Sequence, residues 1–196
     1  MQNSKSSRQI IRITGISGSG KTTLGKILAK ELNYTYIELD DYYLPNKPKI
    51  NMPGTSIHNK KNWDTLEAID IVTLQRMLIA TEGNIILSGF ALPDKIFPSP
   101  VGPGLKPDKP TFTICLEAGK TSEEIILKTI EARKKSKLFT GEEAKRDEMM
   151  VREIVYPYYL RMLQETTINA YLCTYENNER ISIDKLIQII LSFIQE

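Results

Sequence analysis

The run Gly15-Ile16-Ser17-Gly18-Ser19-Gly20-Lys21-Thr22 fills every fixed position of the pattern G-x-x-x-x-G-K-[ST]. Glycine at those points lets backbone N–H groups turn inward around an anion with no Cβ in the way. Lys21 can then reach the β- and γ-phosphates of a nucleoside triphosphate, and the Thr22 hydroxyl can hold Mg²⁺. Ser17, Ser19 and Thr23 complete the candidate nucleotide-binding set. A second candidate is acidic: Asp40 and Asp41 close a β-rich run, Tyr34 to Leu39. Ligands of open α/β sheets bind at the carboxyl ends of strands, so a carboxylate there can orient an acceptor hydroxyl or hold a metal-bound water. The plainer alternative is that one of the two caps a turn and the other is solvated.

The surrounding elements suit these roles. A strand-like run, Gln9 to Thr14, leads into the glycine loop. A helix-like run, Lys21 to Asn33, follows, with Leu24, Ile27, Leu28 and Leu32 on one face. The positive end of that helix dipole adds to the anion site. Further along, strand-like and helix-like segments alternate, which predicts a parallel sheet wrapped by helices. Helices are expected over Thr65 to Thr81, from about Thr121 to Ser136, over Glu142 to Glu165 with Pro157 kinking or dividing it, and from Ser182 to Ile194. Buried strands are expected at Asn84 to Ser88, Phe112 to Leu116 and Tyr171 to Cys173. Pro45 to Asn62 reads as a long surface loop. Pro93 to Pro110, with six of the ten prolines, reads as a second loop without regular structure.

Composition bounds the rest. The chain has 196 residues, 41% hydrophobic and 26% charged, as expected of one globular domain with a polar tail at 1–8. A net charge of +2 makes no case for a nucleic-acid or membrane partner. The first residues lack the apolar core of a signal peptide, and no apolar run is long enough to span a bilayer, so a cytoplasmic location is expected. Cys115 and Cys173 read as free thiols of a reducing compartment. His58 reads as a surface residue, Trp63 as a packing anchor, and Tyr156, Tyr158 and Tyr159 as mostly core.

Three stretches taken together, Gly15 to Thr23, Leu39-Asp40-Asp41-Tyr42-Tyr43 and Asn62-Trp63-Asp64, resemble the P-loop nucleoside kinases, above all uridine kinases and nicotinamide riboside kinases. Leu87-Ser88-Gly89-Phe90 and Val155-Tyr156-Pro157 extend the resemblance along the chain. It implies an α/β P-loop fold with a five-stranded parallel sheet, helices on both faces and a basic lid at about 128–145. It also implies ATP and Mg²⁺ as cofactors and a nucleoside-like small molecule as phosphoryl acceptor. Residue by residue, Asp40 matches the acid that activates the acceptor hydroxyl and shares the metal with Thr22. Tyr43 matches an aromatic residue near the acceptor, Asp64 an acid on the ribose hydroxyls, and Arg133, in the run Arg133 to Lys137, a catalytic lid cation. Ser88 departs from the family's usual Glu, an organiser of Mg²⁺.

The alternatives are a kinase of another acceptor (pantothenate, a sugar phosphate, shikimate or a nucleoside monophosphate) and a non-catalytic nucleotide-binding regulator. The chain lacks the guanine-selecting Asn-Lys-x-Asp pattern, which argues against a GTPase. A homodimer is left open.

Overall fold

The structure, a computed structural model, describes residues 8–46, 49–50, 60–61, 64–90, 92–97, 112–137, 140–177 and 179–195. His58, Trp63 and the proline-rich stretch beyond Phe97 lie outside these residues, as does the tail at 1–7. Five parallel strands form the central sheet: β1 (Ile10–Gly15), β2 (Thr35–Glu38), β3 (Ile85–Ser88), β4 (Phe112–Glu117) and β5 (Ala170–Cys173). Their spatial order is β2-β3-β1-β4-β5. The central strand β1 is buried along its whole length, because helices cover both faces of the sheet.

On one face, Ile11 and Ile13 of β1 pack with α1 (Lys21–Leu32) and α6 (Ile183–Gln195) through Leu24, Leu28, Leu186 and Ile190. On the other face, β1 and β3 meet α2 (Ile71–Ala80) through Ile10, Ile85, Leu74 and Leu78. That face continues over α3 (Ser122–Lys137) and α5 (Tyr156–Gln164), where Ile126, Ile130, Tyr156 and Tyr159 enclose Cys115. Between these two clusters lies the fully buried Arg12. Its guanidinium donates to Thr113 Oγ1, to the carbonyls of Leu92 and Thr167 and, at 2.6 Å, to Asp94.

Local chemistry sets the boundaries. Thr121 and Glu124 cap α3 reciprocally, each side chain accepting from the other's backbone N–H. The helix expected from Thr65 starts later. Leu66–Ala68 form a 3-10 turn, Ile69 is extended and bridges Tyr43, and Asp70 caps α2 by accepting from Thr73 N at 3.0 Å. Pro157 does divide its helical stretch. α4 (Gly141–Met150) passes through a widened π turn, Val151–Val155, before α5. Proline lacks a donor and its ring crowds the carbonyl four residues back, which a widened turn relieves.

Two short antiparallel pairs went unforeseen: Lys49–Ile50 with Lys60–Lys61, inside the expected loop, and Tyr175–Glu176 with Glu179–Arg180, after β5. Asp94–Ile96, within the proline-rich stretch, form a 3-10 turn that Arg12 holds in place. Both cysteines are free thiols. No helix among the described residues is long and apolar enough to cross a membrane.

Candidate active site

The glycine loop joins β1 to α1 at the carboxyl edge of the sheet. Gly15, Gly18 and Gly20 all hold positive φ, at 145°, 82° and 97°. A Cβ at Gly15 would strike the Leu116 carbonyl, and one at Gly18 would strike Ala132 of α3. Glycine is therefore required by the loop's conformation and by its neighbours. Gly20 caps α1 with no side-chain bond to the first turn, so the N–H groups there are left for an anion. Ser19 is buried, and its Oγ has no partner among the described residues. A cradle that any Cβ would fill, uncapped amides and an orphaned hydroxyl together fit a bound triphosphate. Lys21 donates from Nζ to the Ile16 carbonyl at 2.7 Å. Burial lowers its pKa to about 8, against the opposing pull of Asp40 and Glu38.

That loop is one wall of a cleft of about 150 Å³. Ser17, Gly18, Lys21 and Thr22 face Glu38, Asp40, Tyr43, Asp64, Gly89 and Phe90 across it. Asp40 and Tyr43 stand on and just after a 3-10 turn, Leu39–Tyr42, that continues β2. Backbone bonds from Leu44 N to Ala68 O and from Asp70 N to Tyr42 O stitch this turn to the segment carrying Asp64. The Tyr158 hydroxyl accepts from Leu66 N at 2.9 Å and so ties that segment to α5. Phe90 stacks on the Tyr158 ring, with 6.2 Å between centroids. Asp40 is exposed on the cleft wall, yet the protein around its carboxyl raises its pKa. Lys21 opposes that rise, and Asp64 and Asp41 add to it. Burial likewise raises the Tyr43 phenol.

Glu38 was not singled out from the sequence, and it answers the question posed by Ser88. The two are register partners on β2 and β3, so their side chains share a face of the sheet. Ser88 is buried there beside Gly25 and Tyr36, while Glu38 accepts from the Tyr36 hydroxyl and lines the cleft with Thr22. A carboxylate thus stands on the strand beside Ser88. Thr22, Glu38 and Asp40 form an all-oxygen donor set, which suits Mg²⁺, a hard cation that uses one or two carboxylates together with waters and phosphate oxygens. No group of three or more His, Cys, Asp or Glu side chains among the described residues forms a dedicated metal cage.

Arg133 is buried rather than open to solvent. Its Nε and Nη2 donate to the two oxygens of Asp147 on α4, both at 2.9 Å, and its Nη1 donates to Asp64 at 3.3 Å. The cation expected to grip phosphate thus has its fork engaged by two carboxylates, one of them on the cleft wall. Lys134 is half-buried and paired to Glu148, Lys135 is exposed and paired to Glu131, and Ser136 is exposed. Asp147 was also missed, since nothing in its local sequence distinguishes it from its acidic neighbours in α4.

A second cavity, of about 230 Å³, lies beyond the carboxyl ends of β4 and β5. Ala118, Gly119, Lys120, Tyr175 and Asn177 line it, and Lys128 of α3 stands 4.7 Å from the Tyr175 ring centroid. Arg180, from the short strand pair beside it, reaches the position a Cβ would take on Gly20. The two cavities therefore flank the glycine loop.

The chain superposes on the shikimate kinase of Acinetobacter baumannii, solved in complex with shikimate, over 96% of this chain and 94% of that one. The TM-score is 0.51, at 13% identity. The fold is that of the P-loop kinases. A family model described as shikimate kinase matches residues 17–91, the span from the glycine loop through Phe90. Shikimate kinase 2 of Photorhabdus laumondii is 39% identical over 85 residues, 41% of this chain and 47% of that protein. A gluconokinase of Arabidopsis thaliana is 34% identical over 71 residues, 36% of this chain and 37% of that protein. The matches thus span less than half the length of these curated relatives. The resemblance to uridine and nicotinamide riboside kinases gains no support from them. The family match lies in the half of the chain that carries the phosphate loop, Asp40 and Asp64.

Proposed function

We propose that this protein transfers the γ-phosphoryl group of MgATP to a hydroxyl of a small polyhydroxylated metabolite. The observation that carries the reading is the shared cleft, in which the phosphate loop and Asp40 border one space of about 150 Å³. Backbone amides of the loop and Lys21 hold the β- and γ-phosphates, and the nucleoside end occupies the cavity near Lys120 and Tyr175. Asp40 accepts the proton of the acceptor hydroxyl, which orients the oxygen at the γ-phosphorus for in-line attack. Burial raises its pKa, which suits a base, and Lys21 close by opposes that rise. Thr22 and Glu38, with Asp40 beside them, would hold Mg²⁺, which would supply charge neutralisation. α3, whose Ala132 already touches the loop at Gly18, shields the transfer from water, which would otherwise compete as acceptor.

The names of the relatives favour an acceptor other than a nucleoside. A nucleoside remains the narrower alternative, in which Asp64 receives the ribose diol and Tyr43 lies beside it. The test is transfer from γ-labelled ATP to a panel of nucleosides, sugars, polyols, pantothenate, shikimate and gluconate. A labelled small-molecule product supports the proposal. ATP hydrolysis that appears only with a protein partner and yields no such product favours a regulatory nucleotide-binding protein.

A further inference from the structure

We infer that Tyr36 is a positioning residue for the divalent cation: from behind the cleft wall, its hydroxyl holds the Glu38 carboxylate. The inference rests on the kinase reading and adds a residue to its metal site. Tyr36 and Glu38 stand two apart on β2, so both side chains lie on one face of the sheet. The Tyr36 hydroxyl donates to Oε2 of Glu38. Glu38 lines the cleft together with Thr22, whereas Tyr36 does not. A phenol has one O–H to donate, and a carboxylate has two oxygens that accept. One oxygen can therefore be fixed by Tyr36 while the other serves a cation.

The ring is held by its surroundings. A Cβ at Gly25 would come 2.7 Å from Cε2 of Tyr36 and 3.4 Å from Cβ of Ser88. Tyr36 thus lies between α1 and β3, against the helix one turn past Thr22. Glycine is a poor helix former, and the room that this ring needs accounts for one inside α1. Phenylalanine would fill the same space, so packing does not call for the hydroxyl. Its bond to Glu38 does. Such bonds orient the carboxylates that ligate metals, and losing one typically weakens metal binding about 10–100-fold.

The test measures binding of Mn²⁺, a paramagnetic substitute for Mg²⁺, to the full-length protein carrying a non-hydrolysable ATP analogue. Protein is kept in excess, so that little free analogue competes for the metal. Free Mn²⁺ is read by electron paramagnetic resonance, and metal-free binding of the analogue by calorimetry. In Tyr36→Phe the Mn²⁺ affinity should fall about 10–100-fold, with metal-free binding of the analogue unchanged. Glu38→Gln and the double variant Tyr36→Phe/Glu38→Gln should bind Mn²⁺ equally weakly, because Tyr36 acts through Glu38. Three results overturn the inference: parental Mn²⁺ affinity in Tyr36→Phe, losses that add in the double variant, or an equal fall in metal-free binding, as a purely structural role would give. In each case the metal site of the kinase reading stands if Glu38→Gln alone weakens Mn²⁺ binding. If the parent complex binds Mn²⁺ no better than the free analogue does, both fall.

Discussion

The two ends of the cleft are built by different means. The phosphate end is one contiguous loop that works through its backbone: glycines free the amides, a helix start supplies more of them, and a single lysine completes the set. The acceptor end is assembled from side chains contributed by the end of β2, the turn at 64–68, the residues after β3, and α3 with α4 behind them. A backbone device recognises what every triphosphate has in common. A side-chain device can change its specificity one residue at a time. The difference accounts for a loop that fits a general pattern beside a wall drawn from several parts of the chain.

Variants at the two ends should separate these roles. The largest effect is expected at the phosphate end, where Lys21→Ala should lower turnover by at least ~10³-fold, since preorganised charge stabilisation is lost. Lys21→Met adds a sharper contrast. The folded pKa of Lys21 is about 8 against 10.5 when free, so between these values the unfolded chain binds the extra proton and the contribution of this group to stability rises with pH. Below about pH 8 the buried ammonium is destabilising. Nucleotide-free Lys21→Met should therefore melt higher than the parent at pH 7 while losing the shift that nucleotide induces, both read by thermal denaturation.

At the acceptor end, Asp40→Asn should lose about 10²–10⁴-fold in kcat with little change in the KM for ATP, as expected on removal of a general base. In the parent protein, kcat/KM should decline on acidification at a pH above the ordinary carboxylate range, because the Asp40 pKa is raised. Asp40→Asn should flatten that limb.

Smaller kinetic effects should come from the two buried arginines, which share a chemistry and differ in what they reach. Arg133→Met leaves Asp64 and Asp147 buried without their cation, which costs about 3–5 kcal/mol of stability and should raise the KM for the acceptor in whatever folds. Arg12→Met also removes a buried cation, but its partners, Asp94, Thr113 and the carbonyls of Leu92 and Thr167, line neither cavity. Unpaired carbonyls should cost it about 1–3 kcal/mol each, with kcat/KM near the parent value. A kinetic defect in Arg12→Met as large as that of Arg133→Met would remove the distinction between the two networks.

Legibility in the sequence follows the same divide. Alternating strand-like and helix-like runs were enough for the parallel sheet and its helices, and the glycine loop was readable because its residues are contiguous and each has a backbone reason. Asp40, Tyr43 and Asp64 were picked out individually, yet their convergence depends on bonds between 42–44 and 68–70 that no local pattern encodes. Glu38 was hidden because a glutamate in a strand looks like an outward-facing residue. Its proposed role follows from lying opposite Ser88 in register and beside Thr22 in the cleft. Arg133 read as a lid cation open to phosphate. Only the approach of α4, with Asp147, turns it inward. The delayed start of α2 has a similar cause, since a β-bridge between Ile69 and Tyr43 overrides the helical spacing that begins at Thr65.

The central claim is that the glycine loop and Lys21 grip a triphosphate. Calorimetric titration of the Mg²⁺ complex of a non-hydrolysable ATP analogue into the parent protein and into Lys21→Ala tests it most directly. Saturable binding at one site per chain, abolished in Lys21→Ala, is the expected result. No binding by the parent, or equal binding by both proteins, would contradict it.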